Sequence, residues 1–141
     1  MIKLFDFWQD HSETFLVMAN LWEKRKTVDQ PDGYGKKTGD CGDTVIVYLT
    51  IEEDSIKAVN YELQGCLNTN ACCNTLAALV EGKTIEQAWE ITPDDIISYL
   101  ETLPKDHHPC AELTVGTFFL ALADCSKEKS SGSKAEKTVK S

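Results

Sequence analysis

The sequence is most informative first in what it is short of. No apolar run reaches the ~18 residues that a membrane-spanning helix needs. Basic residues are scarce, 14 Lys and Arg against 23 Asp and Glu, for a formal net charge of −9. The shortage is uneven. Residues 126–141, "SKEKSSGSKAEKTVKS", hold five lysines and two glutamates and carry +3, which leaves −12 for residues 1–125. A body that acidic repels a phosphate backbone, so nucleic acid is not an expected partner. The N-terminal stretch "MIKLFDFWQDHSE" lacks the basic-then-apolar order of a secretory signal. The expectation is a cytoplasmic protein with no membrane partner. The six cysteines match no compact zinc spacing. In a reducing compartment they are candidates for metal binding or thiol chemistry rather than for a disulfide framework.

What is present suffices for a folded core. The chain has 141 residues, 42 % of them hydrophobic, which suits one domain without staples. Residues 126–141 are rich in Ser, Lys and Gly and offer almost nothing to bury, so a domain over 1–125 and a disordered tail over 126–141 are expected. In "HSETFLVMANLWEKRK", Phe15, Met18, Ala19 and Trp22 recur at helical spacing, which predicts a helix over about 12–26. "TVDQPDGYGKKTGDCGD" reads as a loop. From Thr44 the period becomes two: Val45, Val47, Leu49 and Ile51 share one face, and after "EEDS" so do Val59, Tyr61 and Leu63. These are two strands of an antiparallel hairpin with one wet face.

The remainder reads as helical. "NTNACCNTLAALVEG" opens on cap-forming Asn and Thr and stops at Gly82. Thr84 with Gln87 makes a capping box, and Thr92 with Pro93 makes a cap and first helical residue. A last helix from Pro109, "PCAELTVGTFFLALADC", is apolar on nearly every side and is expected at the centre of the core. Strands first and helices after predict an α+β fold: several helices on one face of a small antiparallel sheet, with an N-terminal helix.

Three cysteines fall at element ends. Cys41 lies in a glycine turn before the first strand, Cys66 between the second strand and a helix, and Cys110 at the start of the last helix. Element ends are where a rigid scaffold presents functional groups. A helix N-terminus favours thiolate over thiol, and thiolate is the form that ligates metal or attacks sulfur. Gly42 and Gly65 leave room for an inorganic ligand, and Asp43 offers a hard oxygen beside softer sulfurs. Spacing alone does not choose between a shared metal site and three unrelated cysteines, nor between Asp43 as a ligand and Asp43 as a turn carboxylate. Cys72 and Cys73, in a helix beside Leu76, Leu79 and Val80, read as packing residues, and Cys125 as a thiol at the core edge.

The stretches "GDCGDTV", "LQGCLNTNAC", "EGKTIEQAWEI" and "CAELTVGTFFLAL" resemble the NifU-like scaffold proteins of iron–sulfur cluster assembly, the IscU-type domain. The resemblance runs from about the first helix to residue 125. It implies a scaffold, not an enzyme, that receives sulfur from a cysteine desulfurase, holds a nascent [2Fe–2S] cluster and passes it to apo-proteins; a homodimer is a candidate assembly that the sequence does not decide. It implies Cys41, Cys66 and Cys110 as the cluster cysteines and Asp43 as the carboxylate that keeps the cluster labile. The family's histidine directly before the last cysteine is replaced by Pro109, which leaves His108 as a displaced candidate for an additional ligand, with His107 further upstream. The chaperone-read Leu-Pro-Pro-Val-Lys run is reduced to "LPKDH", of which only Leu103 and Pro104 match. The rival the resemblance carries is a zinc-bound sulfurtransferase using Cys41, Asp43, Cys66 and Cys110 for Zn²⁺. The aromatic "KLFDFW" at residues 3–8, with the basic "EKRK" at residues 23–26, reads either as a docking surface for the desulfurase or, for Phe5, Phe7 and Trp8, as core packing.

Overall fold

Alternation at Val45, Val47 and Leu49 against Leu63, Tyr61 and Val59 is realised as cross-strand pairing. In the computed structural model, which describes residues 13–39 and 42–131 (side chains to residue 125), strand β2 (Thr44–Glu52) pairs antiparallel with strand β3 (Ser55–Gln64), with Val45 opposite Leu63, Val47 opposite Tyr61 and Leu49 opposite Val59. All six side chains are buried. Each apolar side chain so buried stabilises by about 1.5–3 kcal/mol. Glu53 and Asp54 close the hairpin with φ of 53° and 66°, the left-handed pair of a two-residue turn.

A third strand, β1 (Gly33–Thr38), pairs antiparallel with β2, so the sheet order is β1-β2-β3. It corrects the loop expected over this stretch. "GYGKKT" hides from a hydrophobic pattern because its inward positions are Gly33 and Gly35. They lie opposite Leu49 and Val47 and face the last helix at a distance that admits no side chain. A Cβ on Gly35 would stand 2.4 Å from the Thr117 carbonyl oxygen and 2.7 Å from the Ala121 nitrogen. The contact is backbone on backbone, so nothing flexible can give way. Gly35→Ala is therefore expected to destabilise the fold by about 2–3 kcal/mol, seen as a lowered urea midpoint at unchanged slope. An unaltered midpoint would mean that strand and helix are not held this closely.

Helix α1 (Glu13–Asn20) is followed by α2 (Leu67–Val80), α3 (Ile85–Ala88), α4 (Pro93–Leu100), a 3₁₀ turn (Lys105–His107) and α5 (His108–Ser131). The capping boxes at Thr84 and Thr92 form, the second closed by Asp95. Helix α1 stops at Asn20, short of the expected residue 26. Two asparagines of α2 explain the stop: Asn74 donates to the carbonyls of Met18 and Leu21, and Asn70 to those of Ala19 and Leu21, all at 2.7–3.0 Å. They satisfy the carbonyls a helix end leaves open. The chain then runs along the β3 edge, where the Lys24 carbonyl accepts from the Tyr61 amide at 3.0 Å and Arg25 donates to the Leu63 carbonyl at 2.9 Å. Asn68 and Thr69, expected to open α2, lie inside its first turn. That helix starts earlier, with Cys66 as its N-cap.

Helix α5 packs across β1 and β2 and against α2 and α4. It buries Ala111, Leu113, Val115, Phe118, Ala121, Leu122 and Cys125, as expected of a central helix. It continues to Ser131, six residues beyond the boundary expected at 125. Residues 1–12, with the aromatic "KLFDFW", and residues 132–141 lie outside the described residues, as does Cys41. Among the described residues no helix is long and apolar enough to cross a membrane.

Candidate metal centre

Three chain segments meet at one end of the sheet. Strand β3 ends at Gln64, Gly65 turns, and Cys66 caps α2. Strand β2 begins just after Asp43, and the 3₁₀ turn delivers His107 and then Cys110 in the first turn of α5. Cys66 Sγ, a His107 ring nitrogen and Cys110 Sγ all lie within 4.8 Å of one another. Bonds of about 2.3 Å to sulfur and 2.0 Å to nitrogen on a tetrahedral metal put ligand atoms roughly 3.3–3.8 Å apart. Shifts of about 1 Å therefore suffice to close this triangle on one ion. Cys66 is exposed, His107 half-buried and Cys110 buried, so solvent reaches the site at Cys66.

Asp43 stands one hydroxyl outside that triangle. Its carboxylate Oδ2 accepts from the Thr69 hydroxyl at 2.7 Å. The same hydroxyl lies 3.3 Å from Cys110 Sγ and 3.8 Å from Cys66 Sγ. Gly65 makes room for the carboxylate: a Cβ there would fall 2.6 Å from Asp43 Oδ2. Of the residues the sequence nominates, Asp43, Cys66 and Cys110 are brought to this corner, and Cys41 lies two residues before Asp43. His108 is not brought to the sulfurs; its Nε2 meets the Leu103 carbonyl at 3.2 Å. The histidine at the site is His107, whose Nδ1 is 3.8 Å from Cys110 Sγ. Three residues separate His107 from Cys110, one turn of helix, and that spacing is the signal the sequence offered. Thr69 carried no signal beyond its place three residues after Cys66.

The thiols differ as their surroundings dictate. Burial raises the Cys66 thiol, but the backbone amides of Thr69 and Asn68 and the side chains of both residues lower it by more, so it ends below the ordinary value. Asn68 Nδ2 donates to Sγ at 3.6 Å. Burial drives Cys72 well above the ordinary range and pushes Cys73 up to about 12. These two are inert packing thiols. In metal-free protein, Cys66 is therefore expected to alkylate with a pH midpoint below that of an ordinary exposed cysteine, while Cys72 and Cys73 stay unmodified. By linkage, Cys66 contributes stability that is complete above the unfolded-state thiol pKa and is lost as pH falls through the lower folded one. Iodoacetamide rates followed by peptide mapping check this, and a midpoint at or above that of free cysteine would contradict it.

Comparison with known proteins places the fold in a family. Residues 25–131 match the NifU-like N terminal domain. The chain belongs to that family. It is 29 % identical over 98 residues to the iron–sulfur cluster assembly scaffold protein IscU 1 of Archaeoglobus fulgidus, an alignment covering 69 % of this chain and 64 % of that protein. It is 31 % identical over 86 residues to the iron–sulfur cluster assembly scaffold protein IscU of Aquifex aeolicus, covering 60 % of this chain and 55 % of that one. The chain thus spans less than two thirds of the length of these relatives. The crystal structure of an N-terminal nitrogen-fixing NifU-like protein from Brucella abortus superposes with a TM-score of 0.70 at 19 % identity, over 86 % of this chain and 98 % of that one. That likeness establishes the α+β fold.

Proposed function

We propose that this protein is a scaffold on which a nascent [2Fe–2S] cluster is built from iron and from sulfur supplied by a cysteine desulfurase, and from which the cluster passes to apo-proteins. The observation that carries the reading is the meeting of Cys66, His107 and Cys110 within 4.8 Å, with Asp43 tied to them through Thr69. The scaffold names of the relatives point the same way.

The cluster is cargo here, and the donor set suits cargo. A [2Fe–2S] unit needs four protein ligands. Cys41, Asp43, Cys66, His107 and Cys110 offer five groups for those four places. Thiolates and imidazole bind iron of this kind more firmly than a hard carboxylate does, so whenever Asp43 takes a place, that place is held by a ligand that exchanges. Sulfur arrives by attack of a thiolate on the outer sulfur of the donor's persulfide: a bond forms between the attacking Sγ and that sulfur, the donor's S–S bond breaks, and the donor leaves as thiolate. Cys66 is the exposed one of the two described site thiols, and its lowered thiol pKa favours the attacking form. Release of that sulfur as sulfide takes two electrons from a separate reductant.

The test is anaerobic reconstitution with iron and sulfide, followed by visible absorption and by iron and acid-labile sulfide analysis. Equal iron and sulfide with a brown chromophore is the expected result. A colourless protein holding one equivalent of Zn²⁺ on the same residues would overturn the reading in favour of a zinc-bound sulfurtransferase.

A further inference from the structure

Thr69 is wholly buried, yet its hydroxyl does not serve its own helix. It sits between three functional groups: Asp43 Oδ2 at 2.7 Å, Cys110 Sγ at 3.3 Å and Cys66 Sγ at 3.8 Å. A hydroxyl has one proton to donate. It can satisfy the carboxylate or a sulfur, not both at once. Asp43 in turn is pressed against Gly65, at a distance that would leave no room for a Cβ. A carboxylate at the mouth of a strand would otherwise turn to water. Here a buried donor and a missing side chain hold it over the sulfurs.

We infer that Thr69 is a positioning residue that keeps Asp43 at the metal centre as a competing ligand, and that rotation of its hydroxyl between Asp43 and Cys110 sets when the carboxylate is free to bind. With the hydroxyl on Oδ2, Asp43 is held in reserve. With the hydroxyl on the Cys110 sulfur, Oδ2 is released toward the metal, and the sulfur, now accepting a hydrogen bond, donates less to it. Both effects loosen the hold on the metal. Without the hydroxyl the carboxylate is no longer kept at the site, and Cys66, His107 and Cys110, which lie within 4.8 Å of one another, hold the metal with no exchanging oxygen beside them to displace a sulfur or the imidazole. The inference rests on the scaffold reading of the site, and the experiment separates the two.

The probe is Zn²⁺ alone, loaded at one equivalent, with its release to an excess of a chromophoric chelator followed in time. Thr69→Val removes the hydroxyl at nearly constant shape. Release is expected to slow on the order of tenfold, the scale of effect of an outer hydrogen-bonding partner of a metal ligand. Asp43→Ala should slow it equally, and the double variant should be no slower than either. Thr69→Ser, which keeps the hydroxyl, should release within about threefold of the parent. With Co²⁺ in place of Zn²⁺, the ligand-field bands of Thr69→Val should match those of Asp43→Ala, a signature that a packing defect would not produce. If Thr69→Val does not fold, Thr69→Ala takes its place against the same Thr69→Ser control. Release as fast as the parent's, or a further slowing by Thr69→Val in the Asp43→Ala background, would overturn the inference. If instead Cys66→Ala and Cys110→Ala held Zn²⁺ as the parent does, the metal site itself would be wrong, whatever Thr69 did.

Discussion

Replacing Cys110 with Ser is expected to lower Zn²⁺ affinity by a hundredfold or more and to abolish retention of a reconstituted cluster. Four-ligand zinc sites in small domains bind with roughly 10–16 kcal/mol, so one ligand of four is worth on the order of 3 kcal/mol. A serine oxygen at this place is a poor substitute. It is a hard, neutral donor where a soft thiolate stood, and Cys110 is only 3 % exposed, so water cannot easily fill the gap. The other cysteines supply the contrast. Cys72→Ala should lower the melting temperature through lost packing and leave metal affinity unchanged, because that thiol is fully buried and held protonated. Cys125→Ala should also leave metal affinity unchanged, since Cys125 packs at the far end of α5 beside Gly33. Between the histidines, His107→Ala should weaken binding and His108→Ala should not. Competition titration with a chromophoric chelator measures all of these. Equal affinities for the Cys110→Ser protein and its parent would remove Cys110 from the site.

How far the sequence alone discloses this molecule depends on which physical signal each part carries. The β2–β3 hairpin was legible because one buried face writes itself as period two at Val45, Val47, Leu49 and at Val59, Tyr61, Leu63. The caps at Thr84 and Thr92 were legible because a capping box is local chemistry. Strand β1 was not, since its inward residues are Gly33 and Gly35, chosen by the closeness of Thr117 and Ala121, some eighty residues away in the chain. Asn70 and Asn74 gave no local signal either: they cap the end of a different helix, and only the tertiary fold shows it. At the metal centre, Cys66 and Cys110 were nominated by their place at element ends. His108 stands nearer Cys110 in sequence, and nearness in sequence is not nearness in space. The 3₁₀ turn at Lys105–His107 instead aims the first histidine at the sulfurs and sends the second to the Leu103 carbonyl.

Asp43→Ala is expected to give a cluster that stays longer on the scaffold and passes on the order of tenfold more slowly to an apo-protein. Two facts about the corner set the direction. The carboxylate is held at the site by a buried hydroxyl and seated on a glycine, so it is positioned rather than loose, as a mere turn residue would be. It also has a rival: His107 stands at the sulfurs already. Removing Asp43 therefore does not open a coordination place to water. It hands the place to an imidazole, a softer ligand that binds such iron more firmly. The recipient's thiols must then displace a better ligand before they gain their first bond to iron, and transfer slows while the cluster's absorption persists. Transfer followed by circular dichroism with an apo-ferredoxin as acceptor measures both quantities in one experiment. The Asp43→Ala, His107→Ala double variant fixes the cause, because with neither group present the fourth place falls open and the cluster should be lost faster than from the parent. If Asp43→Ala transferred at the parental rate, the carboxylate would be only a partner for Thr69, and lability would have to come from the exposure of Cys66 alone.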